Sequence, residues 1–580
     1  MAGDTMTHPF LPAALFVGAG VLTSLPAAAD ENRNHPSPRP PQPLMCSQLA
    51  GDAGGLLGTP GIKAVTAAIV PAAGSNVSFC QVDVLYGTSA HQNINVRVGL
   101  PLGPLDGGAG GVVVGAWNGR TQGIGGGGCS GSLAVNAPVN AGYVGSGNDT
   151  GHGAADFNCE AGVNLDGTYN LQFINDFIRN GMKQQILLSK RIAASYYARE
   201  PNYNYWNGCS TGGRQGYVLA QELGRELDGI LANAPAMYWT RFQTAQMWGQ
   251  IVMKDLTGGP IAAAKLNQAT ASAVAACDAA DGVADGVIDE PRACTFSAKA
   301  NICGAPGAPA ANCLNAAEAE AIDRIWDGPR NADGKRVWFG LDRGTAISAL
   351  NGAAPFFLGV TQFHWDTHDR TFDWTTVTTN GYADVAQQGS RNIADVTDTF
   401  DDLDTFRASG GKLLTFVGAN DQLIMPQGVL HYYRQMAQRY GGPHDADFSG
   451  VQKFYRLFRA PGVGHCGGGA GPQPQGLFDA LVNWVENKVP PKTITATVTT
   501  GGVVTRTRPL CPYPQTAIYK GSGSTDDAAN FTCGGNLETR EEVCDSVLVK
   551  HKHEVNGSLD FREGGTSRGE CRGRGHGHGD

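Results

Sequence analysis

The stretch "YNYWNGCSTGGRQGYVLAQELG", residues 203–224, constrains this chain more than any other. Its front half is aromatic and alternating, the pattern of a short strand. Behind it Tyr217, Val218, Leu219 and Leu223 fall at helical spacing. Between the two halves, Gly208 to Gly212 reads G-x-S-x-G around Ser210. A strand that turns sharply through a serine into a helix is the nucleophile elbow of an α/β-hydrolase sheet, where the turn pushes the hydroxyl out of the sheet. The motif alone proves little, because a chain with 81 glycines yields roughly one such match by accident. A second match, Gly565 to Gly569 around Ser567, lies in a charged, glycine-rich tail with no apolar pattern to form a core. Context therefore selects Ser210 as the nucleophile.

A reactive serine needs a base and a group that orients the base. In α/β-hydrolases these follow the serine in the order Asp or Glu, then His, each on a loop after a strand. "KLLTFVGAND" ends its apolar run at Asp421, and "KFYRLFRAPGVGH" ends at His465. His152 in "NDTGHG" is a rival base, but it precedes the serine. The oxyanion hole needs the N–H after the nucleophile, that of Thr211, and a second N–H from an earlier glycine-rich loop. "GIGGGGCSG" supplies that loop, with Gly128 the expected donor. Cys209 precedes Ser210 and Cys466 follows His465. If serine and histidine meet, the two cysteines are forced together, and a disulfide between them would pin the base loop to the elbow.

With 580 residues the chain exceeds one ordinary core. The βα rhythm breaks from about 240 to 405, where six of the nine tryptophans fall, and then returns. The reading is an α/β-hydrolase fold with a large inserted, mostly helical lid domain. Its expected parts are a signal peptide (1–29), a Pro-rich linker (30–44), a first core segment (45–240), the lid with an acidic loop (241–405), a second core segment (406–535) and a disordered tail (536–580). The leader is an apolar run ending in Ala27-Ala28-Ala29, although no Lys or Arg precedes it. Fourteen cysteines fit an exported protein. Cys277 with Cys294, Cys303 with Cys313, and Cys511 with Cys533 read as loop-closing pairs, with Cys46 and Cys80 counted in the same framework. Cys129, Cys159, Cys544 and Cys571 are left without assigned partners. A net charge of −9 offers no basic footprint for nucleic acid, and no other apolar run is long enough to bind the mature chain to a membrane. A long amphipathic helix is expected over 173–199, and strands and turns over 80–130.

"NGCSTGGRQG", "GANDQLIMP" and "PGVGHCGGG" together resemble the tannase and feruloyl esterase family, with its Cys-Ser, Asp and His-Cys signature. "WNGR" at Trp117 to Arg120 and "CDAADGVADGVIDEPRAC" match as well, so the resemblance covers about residues 45 to 535. The closing "RTRPLCPYPQTAIYKGSG" resembles the bacterial branch near mono(2-hydroxyethyl) terephthalate hydrolase. The resemblance implies serine hydrolysis of aromatic carboxylic esters under a helical lid. That branch is expected to hold a substrate carboxylate with a lid arginine, yet the nearest stretch here, "AAPFFLG" at 353–359, has none. Neutral feruloyl or galloyl esters are thus favoured over terephthalate half-esters. Ile424, three residues past Asp421, is expected beside the acyl ring.

The acidic loop also has chemistry of its own. Asp278, Asp281 and Asp285 alternate with glycines, and the carbonyls of Val283 and Val287 add oxygens to them. Ca²⁺ takes about six to eight such oxygens. The resemblance implies a structural calcium in the lid. Two other functions compete: a peptidase, and a non-catalytic secreted calcium-dependent binding protein. The second would be marked by a missing catalytic residue, and all three are present.

Overall fold

The computed structural model describes residues 42–51, 55–153, 156–397, 402–441 and 448–535. The expected signal peptide, most of the linker, Cys544, Cys571, Ser567 and the tail lie outside the described residues.

Nine strands form the main sheet: β1 (Ile62–Val70), β2 (Phe79–Tyr86), β3 (Ile94–Pro101), β4 (Arg120–Ile124), β5 (Val144–Asn148), β6 (Tyr203–Cys209), β7 (Gly229–Asn233), β8 (Lys412–Gly418) and β9 (Tyr455–Ala460). Their order is β1-β2-β3-β5-β4-β6-β7-β8-β9. The first strands pair antiparallel, and from β5 onward every pair is parallel. This is an α/β fold. Parallel strands are covered on both faces and read as continuous apolar runs, and β8 "KLLTFVG" is buried at every position after its lysine. β1, at the sheet's edge, is mostly exposed.

Register brings the functional loops to one edge. Cys209 pairs with Asn233, and Gly418 with Ala460. The loops carrying Ser210, Asp421 and His465 therefore all leave the carboxyl ends of the parallel strands, where open α/β sheets bind ligands.

One local expectation changes. The helix expected over 173–199 is three pieces: Leu171–Asn175, a π-helical turn at Asp176–Asn180, and Gly181–Tyr197. The turn faces the buried Arg214, which donates to the carbonyls of Phe177 and Ile178 at 3.4 Å each. Side-chain periodicity carries no trace of that partner. Within the strands and turns expected over 80–130, the valines of "GGVVVGAWNGR" form a turn. Trp117 anchors it, stacking on Tyr197 at 4.2 Å and donating from Nε1 to the Arg120 carbonyl at 2.8 Å.

Between β7 and β8 the chain is mainly helical, including Trp239–Ala245, Trp248–Thr257, Ala263–Cys277, Ala316–Asp327, Phe357–Thr367 and Tyr382–Thr397. Its buried Trp239, Trp248, Trp326, Trp338 and Trp365 share one apolar cluster with Trp206 of β6, Ile230 of β7 and Leu413 of β8. The aromatic density of this quarter packs it onto the sheet face, and the described residues from Gln42 onward form one compact unit. Six disulfides cross-link it. They include Cys46–Cys80, the three loop-closing pairs, Cys209–Cys466, and Cys129–Cys159, which sequence reasoning had left unassigned.

Candidate active site

Ser210 follows β6 at φ 63° and ψ −125°, a conformation that costs a non-glycine residue about 1–3 kcal/mol. The backbone around it holds that strain. Ser210 N–H donates to Asn233 O at 3.0 Å, and its carbonyl accepts from Arg214 and Ala236, each at 3.1 Å. The motif glycines are steric necessities. A Cβ on Gly208 would sit 2.4 Å from the Gly212 backbone, and one on Gly212 would sit 2.9 Å from the Gly125 Cα. Thr211 opens the helix Thr211–Glu222, whose N-terminus concentrates partial positive charge beside the serine.

Asp421 and His465 meet as expected. His465 Nδ1 lies 2.8 Å from Asp421 Oδ2, and the Asp421 side chain is fully buried. The other carboxylate oxygen accepts from the N–H groups of Leu423 at 2.8 Å and Ile424 at 2.9 Å. A carboxylate so committed keeps the proton on Nδ1 and leaves Nε2 as the basic nitrogen. Nε2 has no hydrogen-bond partner among the described residues. The base loop is fixed further by His465 N–H, which donates to Gln422 Oε1 at 3.1 Å. Cys209 and Cys466 are bonded with their Cα atoms 5.9 Å apart, so the residues next to Ser210 and His465 are covalently joined.

Among the described residues, Gly125–Ser130 of the glycine loop leave one donor open. The N–H groups of Gly125, Gly126, Gly127, Cys129 and Ser130 all have acceptors: Asn207 O, Gln215 Oε1, Ser130 O, Phe157 O and Gly127 O respectively. The N–H of Gly128 has none among the described residues, and neither has that of Thr211. Thr211 Oγ1 donates to the Gly128 carbonyl at 2.6 Å and ties the two residues together. Gly128 has φ 56°, and a Cβ there would strike the Phe157 ring at 2.3 Å. The position therefore favours glycine. The rival base His152 is engaged elsewhere, with Nε2 facing the Cys129 carbonyl and Nδ1 3.1 Å from the Thr150 carbonyl. Ile424 is buried in the main cluster beside Met425 and Leu423.

The acidic loop is organised by Asp278, whose carboxylate accepts from the N–H groups of Asp285 at 3.0 Å, Gly286 at 2.9 Å and Val287 at 3.2 Å. Asp281 Oδ1 accepts from Val283 N–H at 2.9 Å. Asp285 pairs with Arg508 at 2.5 Å and Arg506 at 3.4 Å. Sequence reasoning missed Asp289. Burial, and then the neighbouring Asp281 charge, push its carboxyl up to about 7. Among the described residues no three side chains by themselves converge as a metal chelate. A cation here needs backbone carbonyls as well. All the donors are hard oxygens, and the Asp281, Asp285 and Asp289 carboxylates repel one another. That donor set fits Ca²⁺.

A family model described as "Tannase and feruloyl esterase" matches residues 112–534. A probable feruloyl esterase of Arthroderma benhamiae is 34% identical over 497 residues, covering 79% of this chain and 86% of that protein. Mono(2-hydroxyethyl) terephthalate hydrolase of Piscinibacter sakaiensis is 30% identical over 489 residues, covering 72% of this chain and 79% of that protein. Among solved structures, a tannin acyl hydrolase from Aspergillus niger superposes with a TM-score of 0.72 at 24% identity, covering 85% of this chain and 96% of that one. Feruloyl esterase B from Aspergillus oryzae gives 0.69 at 22% identity, covering 82% and 96%. Both likenesses concern the fold.

Proposed function

The chain belongs to the tannase and feruloyl esterase family and is a carboxylic ester hydrolase, and from that premise we propose that it cleaves aromatic esters through an acyl-enzyme on Ser210. His465 Nε2 takes the Ser210 proton as Oγ attacks the ester carbonyl. Asp421, bonded at Nδ1, orients the ring and stabilises the imidazolium. The N–H groups of Gly128 and Thr211 receive the developing oxyanion. Collapse returns the proton from His465 to the departing alcohol. Water, deprotonated by the same nitrogen, then releases the acid. The observation that carries this reading is a strained serine joined through Cys209–Cys466 to a histidine already bonded to a buried carboxylate.

The helical segment over 241–405 is proposed as the lid, between core segments 45–240 and 406–535. It brings Phe356 and Phe357 of "AAPFFLG" where the half-ester branch is expected to carry an arginine. Phe357 is exposed and its ring centroid lies 6.0 Å from that of Phe157, which rests on Gly128. Two aromatic rings and no lid arginine in that stretch support a neutral aryl acyl group, of feruloyl or galloyl type, with Ile424 at its inner end. The similarity to a terephthalate half-ester hydrolase supports the second reading. A structural calcium is assigned to Asp278, Asp281 and Asp285 with the carbonyls of Val283 and Val287. Bound there, the ion would neutralise the repelling carboxylates and take no part in the chemistry. Six disulfides support folding in an oxidising compartment after export.

The test is a panel of methyl ferulate, methyl gallate, mono(2-hydroxyethyl) terephthalate and p-nitrophenyl acetate, with a peptide amide as control. The favoured reading requires the highest kcat/KM on a neutral aryl ester. Preference for the terephthalate half-ester selects the second reading, and cleavage of the amide alone removes both.

A further inference from the structure

We propose that His152 is a positioning residue: it holds the oxyanion loop in its catalytic form from the sheet side. The proposal rests on the assignment of Gly128 as an oxyanion donor.

The loop Gly125–Ser130 contains four consecutive glycines and has little stiffness of its own. A single N–H can stay aimed at a reacting carbonyl only if the peptide planes beside it are pinned. Cys129, the next residue, is gripped at all three of its groups. Its N–H donates to Phe157 O at 2.9 Å, its sulfur is bonded to Cys159, and its carbonyl faces His152 Nε2. The first two grips come from one surface segment, residues 157–159. That segment is itself docked on the helix Phe357–Thr367, with Trp365 Nε1 donating to Cys159 O at 3.0 Å. With those grips alone, the oxyanion loop and that segment could move as one body.

His152 provides the attachment to the sheet. It lies four residues beyond the end of β5, whose Asn148 is buried and donates to the buried Gln185 side chain. The ring is set in place by its neighbours. Nδ1 is 3.1 Å from the Thr150 carbonyl, and the ring stacks on Phe173 with centroids 4.2 Å apart and planes 26° apart. Phe173 belongs to the short helix before the π-helical turn, whose carbonyls hold Arg214, one helical turn past Ser210. His152 thus couples Cys129 to elements packed against the nucleophile helix. It touches no reacting atom, so its action is through the loop.

The test compares His152→Ala, His152→Gln and His152→Asn in the full chain, using the best neutral aryl ester and an aryl boronic acid that mimics the tetrahedral adduct. Glutamine can place an amide N–H near the Nε2 position and reach the Cys129 carbonyl. Asparagine reaches only the Nδ1 position. Losing an oxyanion donor outright costs about 100- to 1000-fold in kcat, and a loosened loop still presents it part of the time, so His152→Ala should lose about 10- to 100-fold. KM should stay within about twofold, and boronic-acid affinity should fall by the same factor as kcat, because both depend on the oxyanion contact. Gln should restore most of the loss and Asn little of it. Should the Ala variant fail to fold, the Gln and Asn pair still decides. A lower melting temperature with kcat and boronic-acid affinity intact would mean a purely structural histidine and overturn the proposal, as would equal rescue by Asn and Gln. A wild type that turns over no ester sinks the functional reading as a whole. A wild type that turns esters over, beside an equally active His152→Ala, sinks this proposal alone.

Discussion

The disulfide beside the nucleophile can be removed with Cys209→Ala/Cys466→Ala, and the structure sets two separable consequences. The bridge spans 257 positions, which in the chain-entropy description is worth about 5.5 kcal/mol at 25 °C. The nested Cys277–Cys294 and Cys303–Cys313 bridges remove separations of only 17 and 10. The dependence is logarithmic, so the value remains about 5 kcal/mol. Native disulfides deliver about 2–5 kcal/mol on removal, a large part of the roughly 5–15 kcal/mol that holds a typical domain together. The melting temperature should fall clearly. The second consequence is kinetic. Without the bridge His465 keeps Asp421 at 2.8 Å and Gln422 at 3.1 Å, so the base stays oriented on its own loop. What is lost is the bond to the end of β6. Cys466 sits at φ 58° beside Gly467, Gly468 and Gly469, a stretch then held only by its own turn and by Gln473, which bonds both the N–H and the carbonyl of Gly468. A 1 Å misplacement costs on the order of 100-fold, so kcat should fall by about 10- to 100-fold with KM little changed. Initial rates on a p-nitrophenyl ester and melting curves, both under non-reducing conditions, read the two effects. A stability loss with kcat within twofold of wild type would refute the orienting role, and no change in either would refute the whole argument.

Gly128→Ala puts a Cβ 2.3 Å from the Phe157 ring at a positive φ, so turnover should fall by at least about 100-fold; steady-state kinetics on any accepted ester checks it. Asp421→Ala and His465→Ala should each be severe, but the double variant should be little worse than either, because they act as one unit; single-turnover rates test the non-additivity. Chelation with EGTA should lower the melting temperature, with calcium restoring it, and elemental analysis should find bound calcium; an unchanged melt without bound metal removes the calcium assignment.

The elbow was legible because its sequence signals agree at every level: an alternating strand, a glycine-flanked serine and a helical repeat. Asp421 and His465 were legible because each ends an apolar strand in the order the chemistry needs. The Cys209–Cys466 bond followed from adjacency to those residues. Cys129–Cys159 did not: Cys129 follows the expected oxyanion donor Gly128, but nothing in the sequence places Cys159 beside it. The π-helical turn was invisible because its reason, the buried Arg214, lies in a distant segment. Asp289 escaped for a similar cause: it reads as one more acidic loop residue until burial and the Asp281 charge are known. His152 was weighed only as a base, because sequence shows a titratable ring and not the two carbonyls it faces.

The account's central claim is that Ser210 carries the acyl group. Labelling the oxidised enzyme with an aryl fluorophosphonate, then reducing it and mapping its peptides by mass spectrometry, tests this directly. The account predicts one adduct per chain, on Ser210 in the tryptic peptide ending at Arg214, formed in step with the loss of ester hydrolysis. An adduct on a different serine, or complete inactivation with Ser210 unmodified, would contradict it.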